Sequence, residues 1–265
     1  MGSATREALA SSRTALAAHA DSADLATGES LFDAGRIIGT SSQLLAAIGD
    51  ASADEAAKTA LVRAVFAPTV TPVALELLQS AAAARWSNHQ DLLAGIEALG
   101  LRVVAASAPA DVAIDAELFT FGAAVSSDAE LELALTSKLT PAVAKVSLVD
   151  ALLKGKASDQ TLTIVRHLVR QPRGRRIGEL LRDAATIVAD QADSVIATVT
   201  SATPLQSTQL DRLAKTLSAR YGRNLTINQV IDASVVGGLK VQIGDDVIDG
   251  SIATRLKDLR LQLAG

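Results

Sequence analysis

The sequence repeats itself at a spacing of 87 residues. Shifted by that interval, residues 31–75 lie over residues 118–162 without a gap. The coincidences include phenylalanine, glycine and lysine, so a general excess of alanine does not account for them. The matched positions are Leu31-Phe32 with Leu118-Phe119, Gly35 with Gly122, Leu44 with Leu131, Ala47 with Ala134, Ala57 with Ala144, Lys58 with Lys145, Leu61-Val62 with Leu148-Val149, Ala64 with Ala151 and Leu75 with Leu162. One extra residue near Arg173-Gly174 then brings Leu92-Leu93 onto Leu180-Leu181. The chain is therefore predicted to contain a duplicated unit.

The repeated unit is predicted to be helical. Apolar residues recur at three- and four-residue spacings up to about residue 192, and the breaks between them contain turn and capping residues, as at 49–54 and 67–69. Hydrophobic residues make up 49% of the chain but aromatic residues only 2%, a composition typical of closely packed helices. The pattern predicts a compact helical bundle.

The junction between the two units leaves two interpretations open. The 87-residue shift lays the first helix over Ile96 and Val103, so residues 91–107 would close the first bundle and open the second. Alternatively, the GLRVVAAS portion forms a short strand, because Gly100 interrupts the helical pattern and Val103-Val104 are β-branched.

The period changes at Ser194. Alternating residues predict a strand from 194, an amphipathic helix from 207 to a stop at Gly222, two further strands near 225–229 and 239–243, and a last helix after Gly250. The predicted fold class is thus mainly α: a duplicated N-terminal helical bundle followed by a small α/β (βαββα) module. The predicted domains are 1–108, 109–192 and 193–265.

Composition excludes several classes of function. The formal net charge is −4, from 25 basic and 29 acidic residues, which is unlike a nucleic-acid-binding protein. Cysteine is absent, which removes disulfides and thiolate chemistry. The N-terminus lacks the continuous apolar core of a signal peptide, and no stretch approaches the ~18 apolar residues of a membrane span. We expect a soluble, intracellular protein.

Two groups of residues are candidates for chemistry. Asp245, Asp246 and Asp249 could form a cation site, but their spacing lacks the alternating ligands and terminal glutamate of a calcium loop. We favour a turn at 244–246 followed by a helix cap. The histidines, His19, His89 and His167, are far apart and lack a zinc-binding spacing, so nothing supports a hydrolase built on His167.

Two glycine-containing stretches are read as structural. The basic stretch RQPRGRR at 170–176 could contact phosphate or an acidic partner, but it surrounds a Pro-Gly turn, and we favour a solvated surface loop. Gly237-Gly238 matches no phosphate-binding motif and instead indicates a bulge or a close backbone contact at the entrance to a strand. We therefore predict no catalytic residue, no metal and no cofactor.

The stretch IDASVVGGLKVQIGDDVIDGSIATRLKDL, residues 231–259, resembles the C-terminal signature of the delta subunit of F-type ATP synthases, the family of the oligomycin-sensitivity-conferring protein. The order of elements, with a helical bundle first and a small α/β module last, agrees with that family. The resemblance gives structural turn and cap roles to Gly238, Gly244, Asp245, Asp249, Gly250, Ser251 and Arg255. A usual member has nearer ~180 residues, one helical unit and the module, and the duplication accounts for the excess.

The resemblance implies a non-catalytic connector in the stator, or peripheral stalk, which joins the catalytic head to the membrane sector and resists rotor torque. Its implied partners are the N-terminal helices of the alpha subunits, on the bundle, and the C-terminus of the peripheral-stalk b subunit, on the module. The implied location is the cytoplasmic face of the cell membrane, as a peripheral protein without membrane insertion. We expect the first bundle, 1–108, to form the groove for alpha-subunit helices, with the second bundle, 109–192, as a spacer. The alternative is a helical-repeat adaptor of another intracellular assembly.

Overall fold

The structure is a computed structural model that describes residues 2–235, 237–244 and 246–252. It separates into two compact units, residues 1–188 and 189–265. The first unit is built from helices. They are α1 (Ser3–Ala17), α2 (Leu25–Thr40), α3 (Ser42–Gly49), α4 (Glu55–Phe66), α5 (Pro72–Ala83), α6 (His89–Ala106), α7 (Ile114–Ser127), α8 (Ala129–Thr136), α9 (Ala142–Leu153), α10 (Asp159–Arg170) and α11 (Ile177–Gln191). The division of this unit into bundles 1–108 and 109–192 stays a prediction.

The duplication is visible in the helix boundaries. Helices α8, α9 and α10 begin and end 87 residues after α3, α4 and α5, and α7 ends 87 residues after α2. Helix α11 begins 88 residues after α6, so the extra residue lies in the connection between α10 and α11, as the sequence predicts. We call α1–α5 the first repeat and α7–α10 the second repeat.

The two repeats also share their interior. Equivalent positions are almost completely buried in both, each with 2% exposure or less. These pairs are Leu31 and Leu118, Ile38 and Val125, Ile48 and Leu135, Val62 and Val149, and Leu77 and Ile164. A helix-to-helix hydrogen bond recurs as well: the Thr71 N–H donates to Ser30 Oγ at 3.4 Å, and the Ser158 N–H donates to Glu117 Oε2 at 3.0 Å, each donor and acceptor 87 residues from its counterpart.

The matched phenylalanines Phe32 and Phe119 differ in burial, although the duplication predicts equivalent core sites for them. Phe32 is 5% exposed, but Phe119 is only half-buried, and Phe121 is the second repeat's buried phenylalanine at 5%. Residues two apart on a helix point to nearly opposite sides, so only one of these two rings can face the core. Phe121 stands where the first repeat has the fully buried Ala34.

Helix α6 lies between the two repeats in the chain and packs against both. It contacts α1, α2, α3 and α5 of the first repeat and α10 of the second. It runs unbroken to Ala106, so the alternative of a strand at GLRVVAAS is wrong. Gly100 lies at a close helix contact, where an added Cβ would approach Phe32 Cε1 to 2.6 Å. The glycine that weakens the helical pattern thus permits α2 to pack closely on α6.

The second unit contains a four-stranded sheet. Its elements are β1 (Ser194–Ser201), α12 (Ser207–Tyr221), β2 (Asn224–Ile231), β3 (Lys240–Ile243) and β4 (Asp246–Asp249), with strand order β2-β1-β3-β4. Strands β1 and β2 are parallel, with α12 between them in the chain, and β3 pairs antiparallel with β1 and β4. Helix α12 begins with a capping box between Gln206 and Gln209 and ends at Gly222, where φ is 68°. We call this unit the terminal module.

Strand β4 is absent from the prediction. Its sequence, DVID, is only four residues long and has aspartate at both ends. Next to the turn residue Gly244, this pattern predicts a turn rather than a strand. Gly244 has a φ of 57° and lies in the turn between β3 and β4. The predicted last helix lies outside the described residues.

The buried and half-buried phenylalanines of α7 give a test of the repeat. Phe121→Ala should destabilise the first unit by roughly 3–5 kcal/mol, because it empties a core site. Phe119→Ala should cost clearly less, because part of that ring stays in water. Trp86 is the only tryptophan and lies in the first unit, so urea unfolding followed by its fluorescence measures this effect. Equal losses of stability would contradict the assignment of Phe121 to the core.

Candidate functional site

Two segments of the family-like signature, residues 237–239 and 250–252, are joined by backbone hydrogen bonds in the terminal module. Gly237 and Gly238 are left-handed, with φ of 64° and 79°. The Gly250 N–H donates to the Leu239 carbonyl at 2.8 Å, and the Ile252 N–H donates to the Gly237 carbonyl at 3.2 Å. A Cβ at position 238 would lie 2.4 Å from the Gly250 carbonyl oxygen. Only glycine fits there, both for its φ and for the space.

The aspartates of the signature accept hydrogen bonds from nearby backbone. Asp249 Oδ1 accepts from the Ser251 N–H at 2.9 Å, and Asp232 Oδ1 accepts from the Ser234 N–H at 2.8 Å. The hydrogen bond from the Ser234 side chain is the largest cause that lowers the pKa of Asp232. Such contacts are typical of aspartates that order turns.

The other residues to which the resemblance gives turn and cap roles differ in their surroundings. Gly244 lies in open space at its turn, and Ser251 is buried. Gly250 does not have a positive φ, so its backbone conformation does not require glycine. The space is tight, however, because an added Cβ would meet the Leu239 carbonyl oxygen at 3.1 Å. Asp245 and Arg255 lie outside the described residues.

Sequence reasoning missed a buried charged cluster in the first unit. Glu97 of α6 has a side chain only 8% exposed. Its carboxylate lies 3.3 Å from His167 Nε2 of α10 and 2.7 Å from an Arg175 amino nitrogen, and it pairs with Arg173. We call these four residues the Glu97 cluster. Because α6 follows the first repeat and the other three residues lie in or after α10, the cluster ties α6 to the end of the second repeat.

The cluster keeps Glu97 ionised. Burial alone would raise the pKa of Glu97, but the hydrogen bond with His167 and the charge of Arg173 outweigh it, and the pKa falls to about 2. Burial lowers the pKa of Arg173, against the opposing effect of Glu97. His167 also stacks on Phe32, with ring centroids 4.0 Å apart and an interplanar angle of 11°. The histidine is therefore held between α6 and α2.

The prediction of a solvated loop at 170–176 is wrong for Arg173 and Arg175. Consecutive left-handed residues, Arg173 with φ 47° and Gly174 with φ 79°, direct the chain back toward α6. The Arg173 side chain is 15% exposed. At the position 87 residues before Arg173 the first repeat has Trp86, which is buried and whose indole N–H donates to the Ala81 carbonyl at 2.8 Å. One sequence signal could have revealed the cluster: Glu97 is a lone acid in an otherwise apolar stretch, and a buried charge requires a partner.

Other candidate chemistry finds no support among the described residues. They contain no group of three or more histidines or acids arranged to hold a metal ion. His19 lies apart from the Glu97 cluster and pairs with Glu76 at 3.1 Å. Within the same part of the chain, none of the helices is long and apolar enough to cross a membrane.

This architecture defines a mainly helical protein with a duplicated bundle and a small α/β terminal module. The chain belongs to the ATP synthase delta (OSCP) subunit family, whose profile matches residues 98–263. The matched stretch begins within α6, so it contains the second repeat and the terminal module but not residues 1–97.

Similar proteins share the long form. A protein of Leifsonia xyli subsp. xyli named ATP synthase subunit delta is 56% identical over 265 residues, covering 100% of both chains. Proteins of the same name from Kineococcus radiotolerans and Streptomyces coelicolor are 40% and 36% identical and cover 90% and 100% of this chain and 88% and 98% of their own. A chain of the Toxoplasma gondii mitochondrial ATP synthase hexamer, solved by cryo-EM, aligns over 63% of this chain and 95% of its own length at 22% identity. Its TM-score of 0.41 is too low to support an argument.

The close approach of residues 237–239 to 250–252 predicts that substitutions at two left-handed glycines of the terminal module lower its stability by different amounts. Gly238→Ala should destabilise the module by about 3 kcal/mol or more, because strain from its positive φ adds to a clash with the Gly250 carbonyl. The control Gly222→Ala, with φ of 68° and nothing within 4 Å of its added Cβ, should cost about 1–2 kcal/mol. Tyr221, the only tyrosine, lies in the module and reports its unfolding. A similar loss for both variants would contradict the close approach.

The Glu97 cluster predicts a dependence of stability on pH. Because the folded pKa of about 2 lies below the ordinary value of 4.5, the stabilisation is present above pH 4.5 and is lost as pH falls toward 2. At pH 7 Glu97→Gln should cost roughly 3–5 kcal/mol, because Arg173, whose side chain is only 15% exposed, loses its charged partner. The difference from wild type should shrink as pH falls through that window, as measured by Trp86 fluorescence in urea.

Glu76→Gln is the matched control, because its side chain is 62% exposed and also pairs with a histidine. It should change stability by less than ~1 kcal/mol. A penalty for Glu97→Gln that is small at pH 7, or constant from pH 7 to 2.5, would show that the cluster does not stabilise the fold as described.

Proposed function

We propose that this chain is the stator connector of a proton-translocating F-type ATP synthase. It links the catalytic head to the peripheral stalk of the membrane sector and resists the torque of the rotor. The observation that carries the proposal is membership of the delta (OSCP) family together with full-length similarity to proteins named ATP synthase subunit delta.

The physical requirement on such a connector is resistance to deformation. Helix α6 packs against both repeats, and the Glu97 cluster ties its middle to the end of the second repeat. Close-packed interiors are hard to compress and transmit strain. The first unit is thus suited to bear a load between partners without changing shape.

The proposed partners follow the division of the chain. The helical unit binds N-terminal helices of the alpha subunits by helix-in-groove packing. The terminal module binds the C-terminus of the b subunit. In support, Ile231, Val247 and Ile252 of the module are about half exposed, and Val247 lies on the edge strand β4. The chain is proposed to lie at the cytoplasmic face of the cell membrane, held there by the other subunits.

The proposed role is non-catalytic and needs no cofactor. In support, the described candidates for chemistry have structural surroundings: His167 is held by Glu97 and Phe32, and Asp249 orders a turn. A net charge of −4 likewise favours protein partners over nucleic acid. The adaptor of a different assembly is the weaker proposal, because the similarity to a delta subunit extends over the whole chain.

Reconstitution tests the proposal. Inverted membrane vesicles stripped of this subunit should regain ATP-driven proton uptake when the wild-type protein is added, measured with a pH-sensitive dye. Val247→Asp places a charge on the exposed edge of the module, so it should bind the head normally yet restore uptake by less than about half, since an interface rejects an unpaired buried charge. ATP hydrolysis by the soluble head should be the same with either protein.

The surface substitution Glu76→Gln, far from the module in the chain, serves as the control and should restore uptake fully. Failure of the wild-type protein to restore proton uptake, or its recovery apart from the synthase, would refute the stator role.

A further inference from the structure

A cleft with charged walls lies between the two repeats. It is lined by α2 of the first repeat and by α9 and α10 of the second, all within the first unit, and has a volume of about 340 Å³. This volume lies within the range of small-molecule sites. We call it the α2–α10 cleft. Its charged lining consists of Arg36, Arg166 and Arg170 together with Glu29, Asp33 and Asp150.

The arginines of the cleft keep most of their donors free. Arg36 Nη2 donates to Asp33 Oδ1 at 2.9 Å, and Arg166 Nε donates to Asp150 Oδ1 at 2.6 Å. Each of these bonds uses one of the five N–H groups of a guanidinium. Arg170 is exposed and makes no hydrogen bond or ion pair with any residue that the structure describes. The cleft therefore offers donors to an anion.

The free cation Arg170 belongs to the same charge cluster as Asp150. The hydrogen bond from Arg166 is the largest cause that lowers the pKa of Asp150, and the charge of Arg170 adds to it. Arg166 and Arg170 are four residues apart on α10, so they lie on one face of the helix. His167 lines the cleft beside them.

His167 brings an unused acceptor to the cleft. Its side chain is only 7% exposed, and Nε2 lies 3.3 Å from the Glu97 carboxylate. An ionised carboxylate only accepts, so Nε2 carries the proton of the neutral ring and Nδ1 is an acceptor. Nδ1 has no hydrogen-bond partner in the described part of the chain. Polar groups of buried side chains normally have a partner, and Glu97 does not line the cleft.

This mixture of donors and acceptors selects among anions. Guanidinium groups fit the oxygens of phosphate and sulfate equally well. The carboxylates and Nδ1, however, accept only from a ligand that carries a proton. Inorganic phosphate keeps at least one O–H at neutral pH, whereas sulfate, chloride and the phosphodiester of a lipid headgroup have none. The lining therefore matches phosphate and opposes the other anions.

We propose that the α2–α10 cleft binds inorganic phosphate. Arg170 and the free N–H groups of Arg166 and Arg36 donate to its charged oxygens. His167 Nδ1 accepts from its hydroxyl. Bound phosphate joins α2 of the first repeat to α10 of the second, and Arg170, the first residue of the basic stretch 170–176, thereby gains a partner. This site goes beyond the stator role and does not depend on it.

Calorimetric titration of the full-length protein at pH 7 and constant ionic strength tests the site. Sodium phosphate should bind with a Kd of about 1 mM or below, and sodium sulfate at least about tenfold more weakly, because sulfate leaves the acceptors unpaired. Arg170→Gln should raise the Kd for phosphate about tenfold, as loss of a charge-assisted hydrogen bond does. Arg36→Gln, on the opposite wall, should also weaken binding.

Two controls separate the site from general effects of charge. Arg176→Gln makes the same substitution at an exposed arginine outside the cleft lining, and it should leave the Kd within about twofold. In ¹⁵N spectra of labelled histidine, the Nδ1 signal of His167 should shift with phosphate but not with sulfate. His19 and His89 are the internal references. Unfolding of Arg170→Gln in urea should match wild type, because this side chain is exposed.

Each contrary outcome overturns a different part of the proposal. Absence of saturable phosphate binding, or equal affinity for sulfate, would overturn the phosphate site. Equal weakening by Arg170→Gln and Arg176→Gln would show a general attraction of anions to residues 170–176. Binding to phosphatidylglycerol vesicles that Arg170→Gln abolishes, without binding of free phosphate, would assign the arginines to a lipid headgroup instead. Restoration of proton uptake by wild type would leave the stator role standing in all three cases.

Discussion

The buried carboxylate of helix α6 is the constraint on which the first unit depends. Glu97 lies in α6, where most neighbouring positions are buried, and an isolated charge there would be strongly unfavourable. His167 of α10 and two arginines of the connection between α10 and α11 pair with it. The need to keep that charge paired fixes the path of the chain between α10 and α11. It also fixes the second repeat against the helix that closes the first.

The periodic parts of this fold are readable from the sequence because their cause is periodic. Equivalent core positions 87 residues apart need apolar side chains, and the helix boundaries repeat because capping residues recur, such as Ser41 and Asp128. The choice between Phe119 and Phe121 was not readable in this way. Both are aromatic and lie on one helix, and which of them faces the core depends on the neighbouring helices, which the sequence does not display.

The candidate sites were less predictable than the helices, because they depend on contacts between residues far apart in the sequence. The close approach of residues 237–239 to 250–252 had a local signal in paired glycines. Strand β4 had none, because four residues ending in aspartate read equally well as a turn. The Glu97 cluster joins residues 70 to 78 positions apart, and a basic loop with a Pro-Gly turn is usually solvated. Only the partner's position in space distinguishes a buried arginine from an exposed one.

Duplication provides an internal comparison that a single unit lacks. The two repeats keep the same buried framework, so packing has limited their divergence inside. Outside, the second repeat has the exposed Leu133, Leu139 and Val143 where the first has Ala46, Ser52 and Ala56, and the carboxylates of the two repeats fall at different positions. Because the shared framework shows what folding needs, the exposed differences show what folding does not need. In a protein whose proposed task is to hold other subunits together, those differences are where binding is to be sought.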